Sequence, residues 1–299
     1  MICLRDRKMK KFLALLEVLL VYFLLKPLGW WLVSIGVYQW EVNNLGGWSY
    51  LGGLLNFIVP GLILVITKRD FKAYGITLKH WKASLDLAMS VFPIKLIPWI
   101  LGIVVMLVLG ASYTDVRVSL VLTLGYLAAI LLLFFSLRNL ERRPIPNERS
   151  TITNGIVLGM ILIAPLIISF FMQRFSSAIV STVIWQMVFS GIGEEFKWRG
   201  YYQSRLNEGF GKPFRLCGIA FGPGLIITAL LFGLSHAMNT FNPLIGQWTL
   251  QWEWALFTFF SGLFFGIVRE KSQDIVAPGI LHGVPDAFGE AIGLIFKIG

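Results

Sequence analysis

The chain has 299 residues, of which 56% are hydrophobic and only 14% are charged. A soluble domain of this size carries about 25% charged residues, so the composition excludes water as the main solvent of the fold. The net charge of +10 could indicate nucleic acid, but lysine and arginine lie in the gaps between apolar runs and not on one basic stripe. We therefore expect no nucleic-acid partner.

Apolar runs recur along the whole chain, and a transmembrane helix needs about 20 mostly apolar residues. We predict an all-α polytopic transmembrane bundle of eight or nine spans, surrounded by membrane lipids. The first apolar run follows a basic start but lacks a small-residue cleavage site, so it is interpreted as an uncleaved first helix. In the N-terminal half, residues 1–150, the spans lie at about Phe12–Tyr38, Tyr50–Thr67, Leu85–Ala111 and Val118–Leu137.

Three features interrupt this half. Lys26 and Pro27 fall inside the first run, where the missing N–H of proline should kink the helix or split it in two. Lys68–Ser84 is a basic, aromatic stretch typical of headgroup level. Arg138–Ser150 is the most polar segment, but it is too short to link independent domains, so we expect a single membrane body over residues 1–299.

The C-terminal half, residues 151–299, holds the remaining predicted spans. They lie at about Ile152–Phe171, Ser177–Leu206, Cys217–Met238, Gln251–Val268 and Asp274–Ile298. With these spans, most lysines and arginines fall on one side of the membrane, together with the N-terminal tail. The positive-inside rule then predicts a multi-pass cell-membrane protein with a cytoplasmic N-terminus.

The residues that could carry chemistry also lie in this half. An ionisable side chain at membrane depth costs at least a few kcal/mol, so each needs a partner or a purpose. Glu194 and Glu195 end an apolar run, and Arg199 follows Glu195 by four residues. On a helix that spacing lets Glu195 and Arg199 pair on one face, whereas Glu194 points about 100° away.

Two of the three histidines, His236 and His282, lie in other apolar runs, and Asp286 follows His282 by four residues. His282 and Asp286 can therefore face the same cavity. Each polar residue alone could simply hold the bundle together by interhelical hydrogen bonds. The whole set, placed on separate helices, indicates a catalytic site.

These residues resemble a known family, the CPBP intramembrane glutamic endopeptidases, also called the CAAX protease and bacteriocin-processing or Abi family. The resemblance extends over about Ser177–Phe296. It rests on three motifs in the family's order: Glu194-Glu195-x-x-x-Arg199, Phe232-x-x-x-His236 and His282-x-x-x-Asp286.

The resemblance implies a helical membrane protease whose catalytic cavity opens to the cytoplasm and which cuts a peptide near the membrane surface. It assigns Glu194 as the general base that activates water, with help from His236. Glu195 would orient the site through Arg199. Amide hydrolysis needs such a base within hydrogen-bond reach of a water molecule.

The resemblance places His282 and Asp286 where the carbonyl oxygen becomes an oxyanion. The prenyl-protein proteases of the family carry Asn at the position of Asp286, and an ionised carboxylate is a poor donor. Many bacterial relatives carry Asp there. Pro285 also lies between the two residues, where it should bend the helix.

The sequence also allows functions other than proteolysis by a glutamate. The His-Glu-x-x-His spacing of a zinc protease is absent, and the two cysteines, Cys3 and Cys217, have no metal or redox spacing, so we expect no metal and no cofactor. A proton-coupled transporter also places carboxylates in the membrane. A non-catalytic bacteriocin-immunity or scaffold protein could retain the motifs. The substrate could be a prenylated CaaX protein, a bacteriocin leader or another peptide.

Overall fold

The computed structural model describes residues 2–138 and 148–297. Within these ranges the chain is almost entirely helical, which confirms the all-α fold. The helices of the N-terminal part are α1 Ile2–Ser34, α2 Val37–Asn44, α3 Tyr50–Ile66, α4 Trp81–Leu109, α5 Val116–Leu137 and α6 Glu148–Phe171. Those that follow are α7 Ser177–Trp185, α8 Ser204–Phe210, α9 Pro223–Ala237, α10 Trp252–Ser272 and α11 Val276–Phe296.

Strands are few and short among the described residues. Two antiparallel hairpins interrupt the helices, each formed by neighbouring strands. The first pairs β1 Phe214–Leu216 with β2 Ile219–Phe221, and the second pairs β3 Phe241–Asn242 with β4 Gln247–Trp248.

Four described helices are long and apolar enough to cross a membrane, namely Lys8–Ser34, Trp81–Leu109, Val116–Leu137 and Glu148–Phe171, and Tyr50–Ile66 is a shorter apolar helix. On α6, large apolar side chains are exposed at every third or fourth residue, at Ile152, Ile156, Met160, Ile163 and Ile167. Such a stripe lies on one helical face and is covered by lipid in a membrane protein. The chain is thus a multi-pass membrane protein. The count of eight or nine spans stays a prediction.

The structure decides between two outcomes predicted at Pro27 and corrects one predicted span. Pro27 does not split the first helix, because α1 continues to Ser34 and the chain turns at Gly36, which adopts a positive φ of 79°. The predicted span Cys217–Met238 is wrong at its start. There the chain forms the first hairpin, and α9 begins only at Pro223, a residue type that favours the first helical turn.

Other boundaries shift by a few residues. The basic stretch Lys68–Ser84 ends early, since α4 already begins at Trp81. The polar segment predicted over Arg138–Ser150 lies largely outside the described residues, and α6 begins at Glu148 within it.

The N-terminal helices pack directly on the C-terminal half. The Glu17 carboxylate on α1 accepts hydrogen bonds from Tyr201 Oη at 2.6 Å and from Arg205 Nε at 2.8 Å. Further along α1, Lys26 Nζ donates to the Ser235 carbonyl on α9 at 2.8 Å. These contacts bring residues from both halves to the region of the predicted site.

Candidate active site

Glu194 and Glu195 lie at the junction of two π-helical segments, Gln186–Glu194 and Phe196–Gln203. The helical backbone is otherwise continuous from the start of α7 to the end of α8. A π-helix bonds residue i to residue i+5 and is frequent at functional sites. Apolar periodicity does not reveal π-helical winding, so the sequence predicts only an ordinary helix over this stretch.

Glycines allow the first π-helical segment to touch α11. A Cβ atom at Gly191 would lie only 2.6 Å from Gly283 Cα and 2.9 Å from the Gly279 carbonyl oxygen. No side chain fits between these backbones. The close approach brings Glu195 to His282 across the interface.

Glu195 is the centre of a buried ion network. Its Oε1 atom accepts hydrogen bonds from Arg199 Nη1 at 2.8 Å and from His282 Nδ1 at 2.9 Å. Glu195 and Arg199 are both fully buried. Arg199 Nη2 also donates to the Gly262 carbonyl at 3.0 Å, and the guanidinium lies 4.6 Å from the Phe232 ring centroid. The predicted pairing of Glu195 with Arg199 is therefore confirmed.

Phe265 of α10 contacts three cationic or titratable groups at once. Its ring stacks on the His282 imidazole at a centroid distance of 4.8 Å. The Arg199 guanidinium carbon lies 5.3 Å from the Phe265 centroid, and Lys95 Nζ lies 5.4 Å from it. Cations are attracted to an aromatic face at such distances. Neither Phe265 nor Lys95 was predicted from the sequence.

Glu194 is half-buried and does not join the Glu195 network. Its Oε2 atom is buried without a hydrogen-bond partner in the described part of the chain. Electrostatic interactions connect this carboxylate with His282, His236 and Lys197, and Lys26 also interacts with it. A buried carboxylate oxygen without a protein partner can bind a water molecule or a substrate group.

His236 is oriented by the backbone of its own helix. Its Nδ1 atom lies 2.9 Å from the Phe232 carbonyl oxygen, and a carbonyl can only accept. Nδ1 therefore carries the proton, and Nε2 of the neutral ring keeps a lone pair. The Trp254 ring packs against the imidazole at a centroid distance of 5.4 Å.

Asp286 lies beside His282 without bonding to it. The distance from Asp286 Oδ2 to His282 Nε2 is 3.7 Å, longer than a hydrogen bond. The side chain is half-buried, whereas His282 is buried. Helix α11 continues through Pro285 to Phe296.

The structure thus brings the predicted residues of all three motifs into one region. Phe265, Lys26, Lys197 and Lys95 were missed as site residues. Lys26 and Lys95 could have been found, because a lone lysine inside an apolar run is costly and marks a functional position.

A surface cavity of about 650 Å³ lies elsewhere, with Tyr50, Ser181 and Ile184 among its lining residues. An opening of the site to the cytoplasm stays a prediction. In the ranges that the structure describes, no group of three or more His, Cys, Asp or Glu residues could hold a metal ion.

Comparison with known proteins assigns a family to the C-terminal half. Residues 175–288 match the family model described as type II CAAX prenyl endopeptidase Rce1-like. No curated protein and no solved structure matches the chain. The matched segment contains every predicted site residue, from Glu194 to Asp286. Residues 175–288 therefore form a CAAX-type endopeptidase domain of the Rce1-like family, which confirms the resemblance drawn from the three motifs.

Proposed function

We propose that the protein is an intramembrane glutamic endopeptidase that cleaves a peptide bond near the cytoplasmic membrane surface with a water molecule activated by Glu194. One observation carries this proposal. Among the residues that the structure describes, the buried Oε2 atom of Glu194 has no hydrogen-bond partner, and the carboxylate interacts with two histidines from other helices. A base so placed can take a proton from water.

In the first step, Glu194 accepts a proton from the water while the water's other hydrogen is bound by His236 Nε2. The hydroxide oxygen forms a bond to the carbonyl carbon, and the π electrons of the carbonyl move to its oxygen. The lone pair on His236 Nε2 follows from the hydrogen bond of Nδ1 to the Phe232 carbonyl.

The oxyanion then needs a donor that is already in place, since preorganised donors stabilise developing charge most effectively. His282 supplies its Nε2–H. Glu195 holds the opposite ring nitrogen, and Arg199 holds Glu195. When the carbon–nitrogen bond breaks, the proton on Glu194 moves to the leaving amine, so the carboxylate is restored.

The family match supports one of the substrate classes left open by the sequence. A CAAX-type endopeptidase domain favours a prenylated protein over a bacteriocin leader as the substrate. The exposed apolar faces of the helices support a site next to a lipid phase, and such a phase also accepts a prenyl chain.

The test is cleavage of a fluorescence-quenched prenylated CaaX peptide by the purified protein in lipid vesicles. We expect Glu194→Gln to lower kcat by about 10²- to 10⁴-fold, because it removes the base and keeps the shape. Glu148→Gln serves as the control, since Glu148 is exposed at the start of α6. A Glu194→Gln enzyme that cleaves at a near wild-type rate would exclude the glutamate mechanism.

A further inference from the structure

Two half-buried lysines near the candidate active site are not bound to an acidic side chain. They are Lys26, on α1 within an apolar helix long enough to cross a membrane, and Lys197, on the second π-helical segment. Among the described residues, neither lysine belongs to an ion pair. A cation inside an apolar helix costs free energy, so we expect an anion or a function to compensate for it.

Lys26 is held next to His236 by a contact between α1 and α9. Its Nζ atom donates to the Ser235 carbonyl oxygen at 2.8 Å, and Ser235 directly precedes His236. An ammonium group has three N–H donors, and in the described part of the chain this hydrogen bond uses one of them. Lys26 can therefore bind a further acceptor close to the histidine.

Lys197 follows Glu194 by three residues on the same helical stretch. Its Nζ atom donates to Asn56 Oδ1 on α3 at 2.6 Å and lies 4.6 Å from the ring centroid of Trp198. An amide oxygen and a ring face orient an ammonium group without neutralising it. Lys197 is thus a second positioned cation that can bind an anion.

Aromatic contacts bring the helices of the two lysines together. The Trp198 ring, which lies under Lys197, packs against Tyr22 on α1 at a centroid distance of 6.2 Å. Tyr22 precedes Lys26 by four residues, so the two side chains share one face of α1. Trp198 also packs against Phe232 on α9 at 5.4 Å. These contacts place α1, α9 and the π-helical segment around one region, with a lysine on each side of it.

The groups of this region can carry more positive than negative charge. Glu194 interacts electrostatically with both lysines, and the two lysines oppose each other. Glu195 cannot serve as a further counter-charge here, because its Oε1 atom is already bound by Arg199 and His282. Two ammonium groups therefore face one carboxylate, and a second carboxylate would complete the balance.

We propose that Lys26 and Lys197 bind the terminal carboxylate of the substrate peptide and thereby select peptides that are cleaved close to their C-terminus. This inference rests on the proposed function and specifies its substrate. A CaaX sequence is by definition C-terminal. Its four residues extend over at most about 14 Å, so the carboxylate lies within that distance of any bond cleaved in the motif.

A bound carboxylate and the two lysines stabilise one another, because an anion favours the ammonium form of a neighbouring amine. A leader peptide cleaved in the interior of a longer chain offers no terminal carboxylate at this distance. The lysine pair therefore favours a C-terminal CaaX substrate over a leader peptide.

The experiment compares two fluorescence-quenched prenylated CaaX peptides that differ only in the C-terminal group, a free carboxylate or a carboxamide. We expect the wild-type protein in lipid vesicles to cleave the carboxylate form with a kcat/KM about 10- to 100-fold higher, the usual contribution of a hydrogen bond to a charged group. The difference should lie mainly in KM, since the lysines bind a part of the peptide that does not react.

The variants are judged by the ratio of the two kcat/KM values, which cancels a general loss of activity. This ratio should fall toward one in Lys26→Met and in Lys197→Met, and furthest in the double variant. Lys26→Arg should keep part of the ratio, because arginine retains the positive charge.

Lys11→Met is the matched control. Lys11 lies on the same helix as Lys26, is also half-buried, and lies over an aromatic ring, that of Phe210, at 5.8 Å from its centroid. The helical rise of about 1.5 Å per residue places it about 22 Å from Lys26 along α1. Lys11→Met should therefore keep the wild-type ratio.

The ratio also separates carboxylate binding from a purely electrostatic role. If the lysines only balance the charge of Glu194, their removal slows cleavage of both peptides alike and leaves the ratio unchanged, and the inference is wrong. Equal cleavage of the two peptides by the wild-type protein would overturn it as well, while the proposed function would stand. That measurement does not require any variant to fold.

Binding decides the matter if the wild-type protein cleaves neither peptide, a result with which the proposed function fails. Fluorescence anisotropy of labelled peptides is then measured with protein-containing vesicles and with empty ones. We expect the wild-type protein to bind the carboxylate form more tightly than the carboxamide form, and the double variant to bind both equally. Equal binding of the two forms by the wild-type protein would overturn the carboxylate site.

Discussion

At the scale of single residues, Asp286 is the position at which the chain departs from the prenyl-protease pattern. Its side chain could support His282 as a carboxylate or donate a hydrogen bond to the oxyanion. It lies 3.7 Å from His282 Nε2 and interacts with Lys95. If Asp286 supports His282 as a carboxylate, Asn keeps an acceptor in place but loses the charge. If Asp286 donates to the oxyanion, Asn supplies a permanent donor of the same shape.

We therefore expect Asp286→Asn to keep moderate activity and Asp286→Ala to be inactive. The measurement is kcat for both variants between about pH 6 and 9, the range in which imidazole and perturbed carboxyl groups titrate. Near wild-type activity of Asp286→Asn, with a softer decline toward alkaline pH, would support the donor role. Equal inactivity of Asn and Ala would mean that the charge itself is obligatory.

At the scale of helices, the contact between the π-helical segment and α11 determines whether Glu195 reaches His282. Gly191 and Gly283 allow their backbones to touch, and a Cβ at Gly191 would lie 2.6 Å from Gly283 Cα. The atom in the way is backbone, so it cannot rotate aside. Adding a methyl group must separate the helices or distort them.

We expect Gly191→Ala to lower kcat strongly and to reduce the thermal stability of the protein in vesicles, since overpacking costs about 1–3 kcal/mol. Gly155→Ala is the matched control, because a Cβ at Gly155 on α6 meets nothing within 4 Å. Thermal unfolding and kcat are measured for both. Full activity of Gly191→Ala would show that the close contact is not needed for catalysis.

The sequence predicts helices better than it predicts the details within them. Tyr50–Thr67 and Val118–Leu137 nearly coincide with α3 and α5, because each is one long apolar run. The apolar run from Cys217 was predicted to be helical, but its first residues belong to a β-hairpin. An apolar segment of a few residues fits a strand as well as a helix, so the pattern did not distinguish them. The π-helical winding around Glu194 was not predictable either, because apolar spacing does not distinguish π-helical from α-helical winding.

At the scale of the whole molecule, the site draws on both halves of the chain. The three motifs identify Glu194, His236 and His282 from local spacing alone. Lys26 and Lys95 come from α1 and α4, and their contacts join positions far apart in the sequence. A single sequence does not encode such pairings in any local pattern, so the motifs reveal the catalytic half but not the helices that complete it.

The orientation of the molecule determines which side of the membrane supplies the substrate. Lysine and arginine concentrate in the N-terminal tail and in alternate predicted loops, so the positive-inside rule predicts that these segments lie in the cytoplasm. Exposed Lys10 and Lys72 should then face the cytoplasm, whereas exposed Arg117, in the first turn of α5, should face outward.

Labelling tests this orientation in a variant in which Cys3 and Cys217 are replaced by serine. Single cysteines are introduced as Lys10→Cys, Lys72→Cys and Arg117→Cys, and intact cells are treated with a membrane-impermeant maleimide. We expect only Arg117→Cys to react until the membrane is permeabilised, because lysine-rich loops are retained on the cytoplasmic side. Reaction of Lys10→Cys and Lys72→Cys in intact cells would show that the protein has the opposite orientation in the membrane. The ends of the helices that carry Glu194 and His236 would then exchange sides, so cleavage of a cytoplasmic prenylated protein would require access from the opposite face.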